Sequence, residues 1–195
     1  PKDDSEFRHF REFRALEVDD EGNLWVGTYK NGVYVYNVRD KTFKHLTQQD
    51  GLPHPEIHTI FKERNGNMWV GTGKGVSLWP KGGSGFEVFS TTKQDETLLG
   101  SIVEDIHQSA KGDIWIATQK GLNRYLPDTK SFKQFSEKEG LPATLIRAMS
   151  DGEDGKLWLT TNKGIFLYNP DKQSVRNYTS STTPTGKNYY ANSLV

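Results

Sequence analysis

The sequence contains no cysteine and no long run of apolar residues. The absence of cysteine excludes disulfide bonds, thiolate metal ligands and a cysteine nucleophile, and it favours neither an oxidising nor a reducing compartment. No apolar run approaches the roughly 20 residues that a membrane-spanning helix needs. We therefore expect this segment to make no membrane contact.

Net charge is absent as well, because 25 Lys and Arg residues balance 25 Asp and Glu residues. Without a strong field of one sign, the chain is not expected to bind nucleic acid. Hydrophobic residues make up only 33% of the chain, yet it contains 5 Trp, 8 Tyr, 10 Phe and 19 Gly. No long window shows an apolar stripe at helical period, so this composition predicts an all-β protein with tight turns.

A repeat of about 44 residues organises the chain. Four tryptophans mark it, at intervals of 44, 46 and 43 residues: Trp25, Trp69, Trp115 and Trp158. A glycine lies three residues before each: Gly22, Gly66, Gly112 and Gly155. A second glycine follows six or seven residues after each tryptophan, as in GNLWVGTYKNG and GNMWVGTGKG. A period of this length is typical of a propeller blade or a helical pair.

The local pattern favours the propeller, with four short strands in each unit. The first strand carries an apolar residue at a matched position: Leu16, Ile60, Ile106 and Met149. The second, tryptophan-bearing strand is apolar at nearly every residue, which predicts burial of both faces of the sheet. We place the blade repeats at about 13–46, 57–89, 102–135 and 145–178. Residues 1–12 are predicted to be an outer strand of a preceding blade, and residues 186–195 the start of a following one.

The residue two positions after each tryptophan is small in three units: Gly27, Gly71 and Ala117, with Thr160 in the fourth. A small residue there leaves room for a bulky side chain from the neighbouring sheet. We therefore interpret the repeated tryptophans and glycines as structural residues rather than ligand contacts.

The motif G-N-L-W-V-G-T, followed by a G-V-x-x-Y segment, F-x-x-F and GLP, resembles the regulator-propeller repeat of bacterial two-component sensors, hybrid two-component sensors and some diguanylate cyclases. The resemblance runs from about Phe13 to Tyr178, with GLP at 51–53 and 140–142 but missing after the second and fourth units. It implies a seven-bladed β-propeller in the periplasmic or extracytoplasmic part of an inner-membrane protein. A kinase or cyclase output domain would follow elsewhere in such a protein.

Four units do not complete a ring of seven, so we expect this segment to belong to a larger propeller whose remaining blades are its partners. The start at Pro1 rather than Met agrees with that expectation. Two alternatives stay open: the four blades close on themselves, or two copies associate as a homodimer into an eight-bladed ring. An arc with open faces would expose apolar side chains, so association of some kind is expected.

A candidate ligand site lies in the connections. The loops after the fourth strand and the turns between the second and third strands are predicted to open on the same face. A lysine precedes the second repeat glycine in three units, at Lys74, Lys120 and Lys163, and the first unit has Lys30 and Asn31. These residues predict a positively charged face for an anionic ligand such as an acidic oligosaccharide. The alternative is that they are ordinary solvated turn residues.

Catalytic motifs are weak. His54 and His58 flank Glu56, but Pro55 argues against a helical zinc motif and no third ligand is evident. We expect neither a cofactor nor a metal. The leading hypothesis is a non-enzymatic extracytoplasmic sensory module that binds a ligand or mediates receptor dimerisation. The alternatives are an enzyme of the propeller lyase type, for which His54, His58, His107 and Glu56 are the only material, and a ligand-free interaction scaffold.

Overall fold

The computed structural model describes residues 12–90, 98–142 and 145–179. Within these residues, sixteen strands form four antiparallel sheets of four strands each, connected in simple sequence order. The predicted all-β class, with four four-stranded sheets, is confirmed. The sequence predictions for residues 1–11 and 186–195 lie outside the described part of the chain, and Glu12 is not in a strand.

The sheets are numbered in chain order. Sheet 1 contains β1 (Phe13–Val18), β2 (Asn23–Thr28), β3 (Val33–Asn37) and β4 (Thr42–Leu46). Sheet 2 contains β5 (Ile57–Lys62), β6 (Met68–Thr72), β7 (Gly75–Trp79) and β8 (Glu87–Phe89). Sheet 3 contains β9 (Val103–Gln108), β10 (Ile114–Thr118), β11 (Gly121–Leu126) and β12 (Ser131–Phe135). Sheet 4 contains β13 (Ile146–Asp151), β14 (Leu157–Thr161), β15 (Gly164–Asn169) and β16 (Ser174–Asn177).

Helix is confined to three short 3₁₀ turns among the described residues: Gln48–Asp50, Glu137–Glu139 and Glu153–Gly155. None of the described helices is long and apolar enough to span a membrane. The chain divides into two compact units, residues 1–88 and 89–195. The first unit holds sheets 1 and 2, apart from Phe89 at the end of β8, and the second unit holds sheets 3 and 4.

The turn from the first to the second strand of each sheet requires a glycine. Gly22, Gly66, Gly112 and Gly155 have φ of 82°, 91°, 94° and 73°. This left-handed region is open to glycine at little cost and is unfavourable for most other residues. The repeated glycine therefore serves to reverse the chain before the tryptophan strand.

In the first unit, each tryptophan is tied to that turn by an acidic residue six positions earlier. The Trp25 indole N–H donates to Asp19 Oδ2 at 2.9 Å, and the Asn23 side-chain amide donates to the same oxygen at 2.9 Å. In sheet 2, Trp69 donates to Glu63 Oε2 at 3.3 Å. A buried indole N–H needs an acceptor, so these carboxylates orient the ring. The sequence motif showed the tryptophan and glycine but not this acid.

Neighbouring sheets within a unit pack the first strand of one against the tryptophan side of the other. In the first unit, Ile57 and Ile60 of β5 share a core cluster with Trp25, Val33 and Leu46 of sheet 1. A Cβ atom added at Gly27 would lie 2.6 Å from Ile57 Cγ2. Ile57 thus fills the space that the glycine leaves, as expected from its position two residues after Trp25.

The second unit repeats this packing. Ile146 and Met149 of β13 share a core cluster with Trp115, Ala117 and Phe135 of sheet 3. Ala117 takes the place of Gly27, and Ile146 that of Ile57. Because both units bury the same set of positions, the small residue after the tryptophan is a packing requirement of the fold.

Two sheet faces depart from this pattern. Leu16 of β1 is 64% exposed, whereas the matched Ile60, Ile106 and Met149 are 7%, 3% and 6% exposed. At the other end of the chain, Tyr178 is 42% exposed, whereas the matched residues are almost fully buried: Leu46 1%, Phe89 2% and Phe135 1%. We call the face of a sheet that carries the residue matched to Leu16 its first-strand face, and the face that carries the repeated tryptophan its tryptophan face. Sheet 1 therefore exposes its first-strand face, and sheet 4 exposes its tryptophan face.

The contact between Gly27 and Ile57 gives a direct test of the packing. Gly27→Ala forces a methyl group into Ile57, so we expect the free energy of unfolding to fall by about 1–3 kcal/mol in urea denaturation followed by circular dichroism. Gly85→Ala is the matched control, because a Cβ there meets nothing within 4 Å. A Gly27→Ala variant as stable as the Gly85→Ala variant would contradict the packing.

Candidate functional site

The turns that carry the candidate lysines share one hydrogen-bonded structure. In each, a buried threonine at the end of the second strand donates its hydroxyl to the carbonyl of the second repeat glycine. The distances are 2.9 Å for Thr28, 2.8 Å for Thr72, 3.2 Å for Thr118 and 3.0 Å for Thr161. The threonine hydroxyl oxygens in turn accept the backbone N–H groups of Asn31, Lys74, Lys120 and Lys163. The turn backbone is therefore fixed while its side chains extend into solvent.

In the first unit, both turns contact the loop that follows β4. The Gly32 N–H donates to the Pro55 carbonyl at 2.9 Å, and the Gly73 N–H donates to the Glu56 carbonyl at 3.1 Å. Lys30, Asn31 and Lys74 are exposed beside this loop. Lys30 Nζ lies 5.2 Å from the centre of the Tyr29 ring, which is within range of a cation–π contact.

In the second unit, Lys120 borders an open groove of about 530 Å³. One wall is the β10–β11 turn, and the other is the loop after β12, which supplies Glu137, Lys138 and Leu141. We call this the Lys120 groove; its lining is Leu99, Gln119, Lys120, Gly121, Ser136, Glu137, Lys138, Leu141 and Pro142. A groove of this size falls in the range of about 300–1,000 Å³ that is typical of small-molecule sites.

Lys163, the other candidate of the second unit, lies near the end of β16. Its carbonyl accepts a hydrogen bond from the Thr179 hydroxyl at 3.3 Å, while its side chain is exposed. No ion pair of Lys74, Lys120 or Lys163 is found within residues 12–90, 98–142 and 145–179. Lys138, which faces Lys120 across the groove, was not singled out from the sequence.

The histidines proposed for a lyase-type site fall in two separate places. In the first unit, His58 Nε2 lies 3.2 Å from Glu56 Oε1, and His54 Nδ1 lies 4.0 Å from Glu56 Oε2. The His54 Nδ1 atom also accepts the Glu56 backbone N–H at 3.3 Å, so that nitrogen is already engaged. In the second unit, His107 Nε2 lies 3.3 Å from Asp151 Oδ1. The described residues contain no group of three or more His, Cys, Asp or Glu side chains placed to hold a metal ion.

A partly buried carboxyl joins the two sheets of the second unit. Asp105 of β9 accepts the Met149 N–H of β13 at 2.7 Å and the Ile106 N–H at 2.9 Å. Burial raises the pKa of Asp105 to about 6, although these two N–H groups and the nearby His107 favour the charged form. This carboxyl therefore titrates in a range where most surface carboxylates are already ionised.

A second groove lies between the two sheets of the first unit, at the opposite end from the lysine turns. Its volume is about 350 Å³, and Asp19, Trp25, Lys44 and Trp79 are among its lining residues. The Lys44 ammonium lies 4.5 Å from the centre of the Trp79 ring, and Trp79 meets Trp25 edge to face at 5.9 Å. The aromatic rings of this groove are thus already in contact with other side chains of the protein.

Comparison with known proteins identifies the repeat. A sequence profile of the family described as two component regulator propeller matches residues 10–30 and 51–74. Comparison with curated protein sequences gives no match. The resemblance to the regulator-propeller repeat, inferred from the GNLWVGT and GLP motifs, is confirmed: the chain contains repeats of this kind.

Solved structures agree in fold. The extracellular domain of a putative hybrid two component system from B. thetaiotaomicron superposes with a TM-score of 0.71 at 24% identity, covering 84% of this chain and 23% of that chain. The extracellular domain of a putative one component system from the same organism gives 0.70 at 21% identity, covering 85% and 22%. Virginiamycin B lyase from Staphylococcus aureus gives 0.66 at 16% identity, covering 88% and 56%.

These superpositions show the fold alone, because all three identities lie below 25%. The chain spans less than a quarter of the length of the two extracellular domains that it resembles.

Asp105 predicts a pH dependence of stability with a defined sign. Its pKa is about 6 when folded against an ordinary value of 3.8, so its contribution to stability is fully present below pH 3.8 and is lost as the pH rises through 6. The gap corresponds to about 3 kcal/mol. We expect the parent protein to lose stability between pH 4 and pH 7 from this group, and Asp105→Asn to lose about 3 kcal/mol less over the same range. Urea denaturation at the two pH values measures this difference.

Asp105→Asn also loses one accepted hydrogen bond at every pH, so the slope with pH is the diagnostic quantity rather than the absolute stability. Asp128→Asn, at an exposed turn residue, is the control and keeps the slope of the parent protein. Equal slopes in all three proteins would show that Asp105 ionises as freely in the folded state as in the unfolded chain.

Proposed function

We propose that the chain is part of an extracytoplasmic sensory module of a bacterial signal-transduction receptor, and that its lysine turns bind an anionic ligand. Its two-component regulator propeller repeats support this role, as does its likeness in fold to the extracellular domains of putative two component and one component systems. The same comparison supports a periplasmic or extracytoplasmic location, which is part of this proposal.

The observation that carries the ligand proposal is the repeated lysine turn. Lys74, Lys120 and Lys163 occupy the same position of three sheets, each with its backbone fixed by a buried threonine and its side chain exposed. A fixed backbone reduces the entropy lost when a side chain is ordered by a ligand. Lysine ammonium groups attract carboxylates as point charges, and an acidic oligosaccharide presents several carboxylates along one chain.

The exposed sheet faces support a second part of the proposal, which concerns partners. The exposed first-strand face of sheet 1 and the exposed tryptophan face of sheet 4 are the two halves of the interface that each unit buries internally. We propose that the partner of either face is the complementary face of another sheet of the same repeat. In a longer propeller that sheet is a further blade, and in this chain alone it belongs to a second copy.

The alternative from another functional class is a lyase-type enzyme. Two observations favour it: the contact between His58 and Glu56, and the likeness in fold to virginiamycin B lyase. The site would need a metal to act as a Lewis acid in the way such enzymes do. Within the described ranges, neither the cluster around Glu56 nor His107 supplies a ligand set. A scaffold without ligand remains the third alternative, and the Lys120 groove favours ligand binding over it.

Neutralising the three lysines tests the ligand proposal. We expect Lys74→Gln/Lys120→Gln/Lys163→Gln to lower the affinity for oligogalacturonates, measured by titration calorimetry in about 0.15 M salt, by roughly tenfold or more. The matched control neutralises three exposed lysines of the β3–β4, β11–β12 and β15–β16 turns at the other end of the sheets: Lys41→Gln/Lys130→Gln/Lys172→Gln. Unchanged binding of every acidic oligosaccharide tested would reject the lysine turns as a ligand site.

A further inference from the structure

The walls of the Lys120 groove are held in place by partly buried hydrogen bonds. Asn123, which is fully buried, accepts the Leu99 N–H at 2.7 Å and donates to the Leu99 carbonyl at 3.3 Å. The Thr118 hydroxyl contacts the same carbonyl. Leu99 and the turn that bears Lys120 are therefore fixed to one another before any ligand arrives.

The opposite wall is fixed as well. Glu139 accepts both the backbone N–H and the hydroxyl of Ser136, each at 2.7 Å, and these bonds hold the pKa of Glu139 below its ordinary value. The Tyr168 hydroxyl donates to the Glu139 carbonyl at 2.8 Å, and the Leu141 N–H donates to the Ser136 carbonyl at 3.1 Å. The 3₁₀ turn that presents Lys138 is thus anchored at both ends.

The charges of the groove are unbalanced. Two ammonium groups, those of Lys120 and Lys138, face one carboxylate, that of Glu137, and all three side chains belong to exposed residues. The Glu139 carboxylate is turned back onto Ser136 and does not line the groove. The net charge of the described lining is therefore positive, and an anion gains from entering between the lysines.

The floor of the groove is aliphatic. Leu99, Leu141 and Pro142 supply its apolar surface, and none of the described lining residues is aromatic. Sugar rings bind chiefly through many hydroxyl hydrogen bonds and by stacking on aromatic rings. Besides its three charged side chains, the described lining offers only Gln119 and Ser136 as polar side chains, and it offers no aromatic ring. An aliphatic floor instead favours burial of a hydrocarbon segment, which gains free energy in proportion to its area.

We infer that the Lys120 groove binds a medium-chain aliphatic carboxylate, with the carboxylate between Lys120 and Lys138 and the hydrocarbon against Leu99 and Leu141. This inference rests on the proposed function, because it concerns the ligand class of one of its lysine turns. It differs in taking an amphipathic acid rather than an acidic sugar at this turn, and it assigns Lys138 a binding role.

The test is an NMR titration of the isotope-labelled chain with octanoate, read at the amides of Leu99 and Leu141. Octanamide is the uncharged match of octanoate, and trigalacturonate is the sugar acid. We expect octanoate to shift both amides and octanamide to bind at least about fivefold more weakly. Octanoate adsorbed on the exposed face of sheet 1 would shift the amides of Ala15 and Leu16 instead, and that result overturns the inference.

Three variants test the effect of each charged side chain on the affinity for octanoate. Lys120→Gln and Lys138→Gln should each weaken octanoate binding by about threefold or more, whereas Glu137→Gln should strengthen it by a similar factor. Lys172→Gln, at the exposed β15–β16 turn away from the lysine turns, is the control and leaves octanoate binding unchanged. No single change in fold produces opposite effects at Glu137 and the two lysines.

The outcomes distinguish this inference from the proposed function. Trigalacturonate that binds through Lys120 while octanoate does not would overturn the aliphatic ligand and leave the lysine turns intact as an acidic-sugar site. Equal binding of octanoate and octanamide would overturn the role of the two lysines. Failure of octanoate to shift Leu99 and Leu141 overturns the inference, and the three-lysine titration then decides the proposed function by itself.

Discussion

The fold depends on one packing constraint: a four-stranded sheet that is apolar on both faces needs a neighbour on each side. Within each unit the neighbour is supplied in the same way, by an aliphatic side chain of one first strand against the small residue that follows the tryptophan of the other sheet. Ile57 over Gly27 and Ile146 beside Ala117 are the two internal examples. Because the strand residues are buried in this packing, their sequence varies little from one repeat to the next.

Variation between the repeats is therefore concentrated in the connections. The lysine turns keep one backbone structure because a buried threonine fixes them, yet their surroundings differ between sheets. Beside Lys120 the loop after β12 supplies a second lysine and an aliphatic floor, whereas the corresponding loop in the first unit carries Gln48, Gln49 and Asp50. The repeat thus supplies the same turn backbone four times, while the side chains around each turn differ from one sheet to the next.

Much of the fold could be predicted from the sequence because the repeat shows each strand four times over. The propeller class and four-stranded sheets follow from the spacing of Trp25, Trp69, Trp115 and Trp158. The acids that hold the indoles, Asp19 and Glu63, were missed because the corresponding positions of sheets 3 and 4 are Ser109 and Gly152. Lys138 and the partly buried carboxyl of Asp105 were missed because their surroundings come from segments distant in sequence, and spacing alone carries no information on such contacts.

The central claim is that the exposed first-strand face of sheet 1 is half of the repeat interface. Light scattering over a concentration series of the chain, with Leu16→Glu beside it, tests this most directly. The account predicts association that grows with concentration and is lost in Leu16→Glu, since a charge there cannot be buried against a tryptophan face. Val38→Glu, at another exposed apolar residue, should associate like the parent chain. A parent chain that stays monomeric throughout, or a Leu16→Glu variant that associates equally, would contradict it.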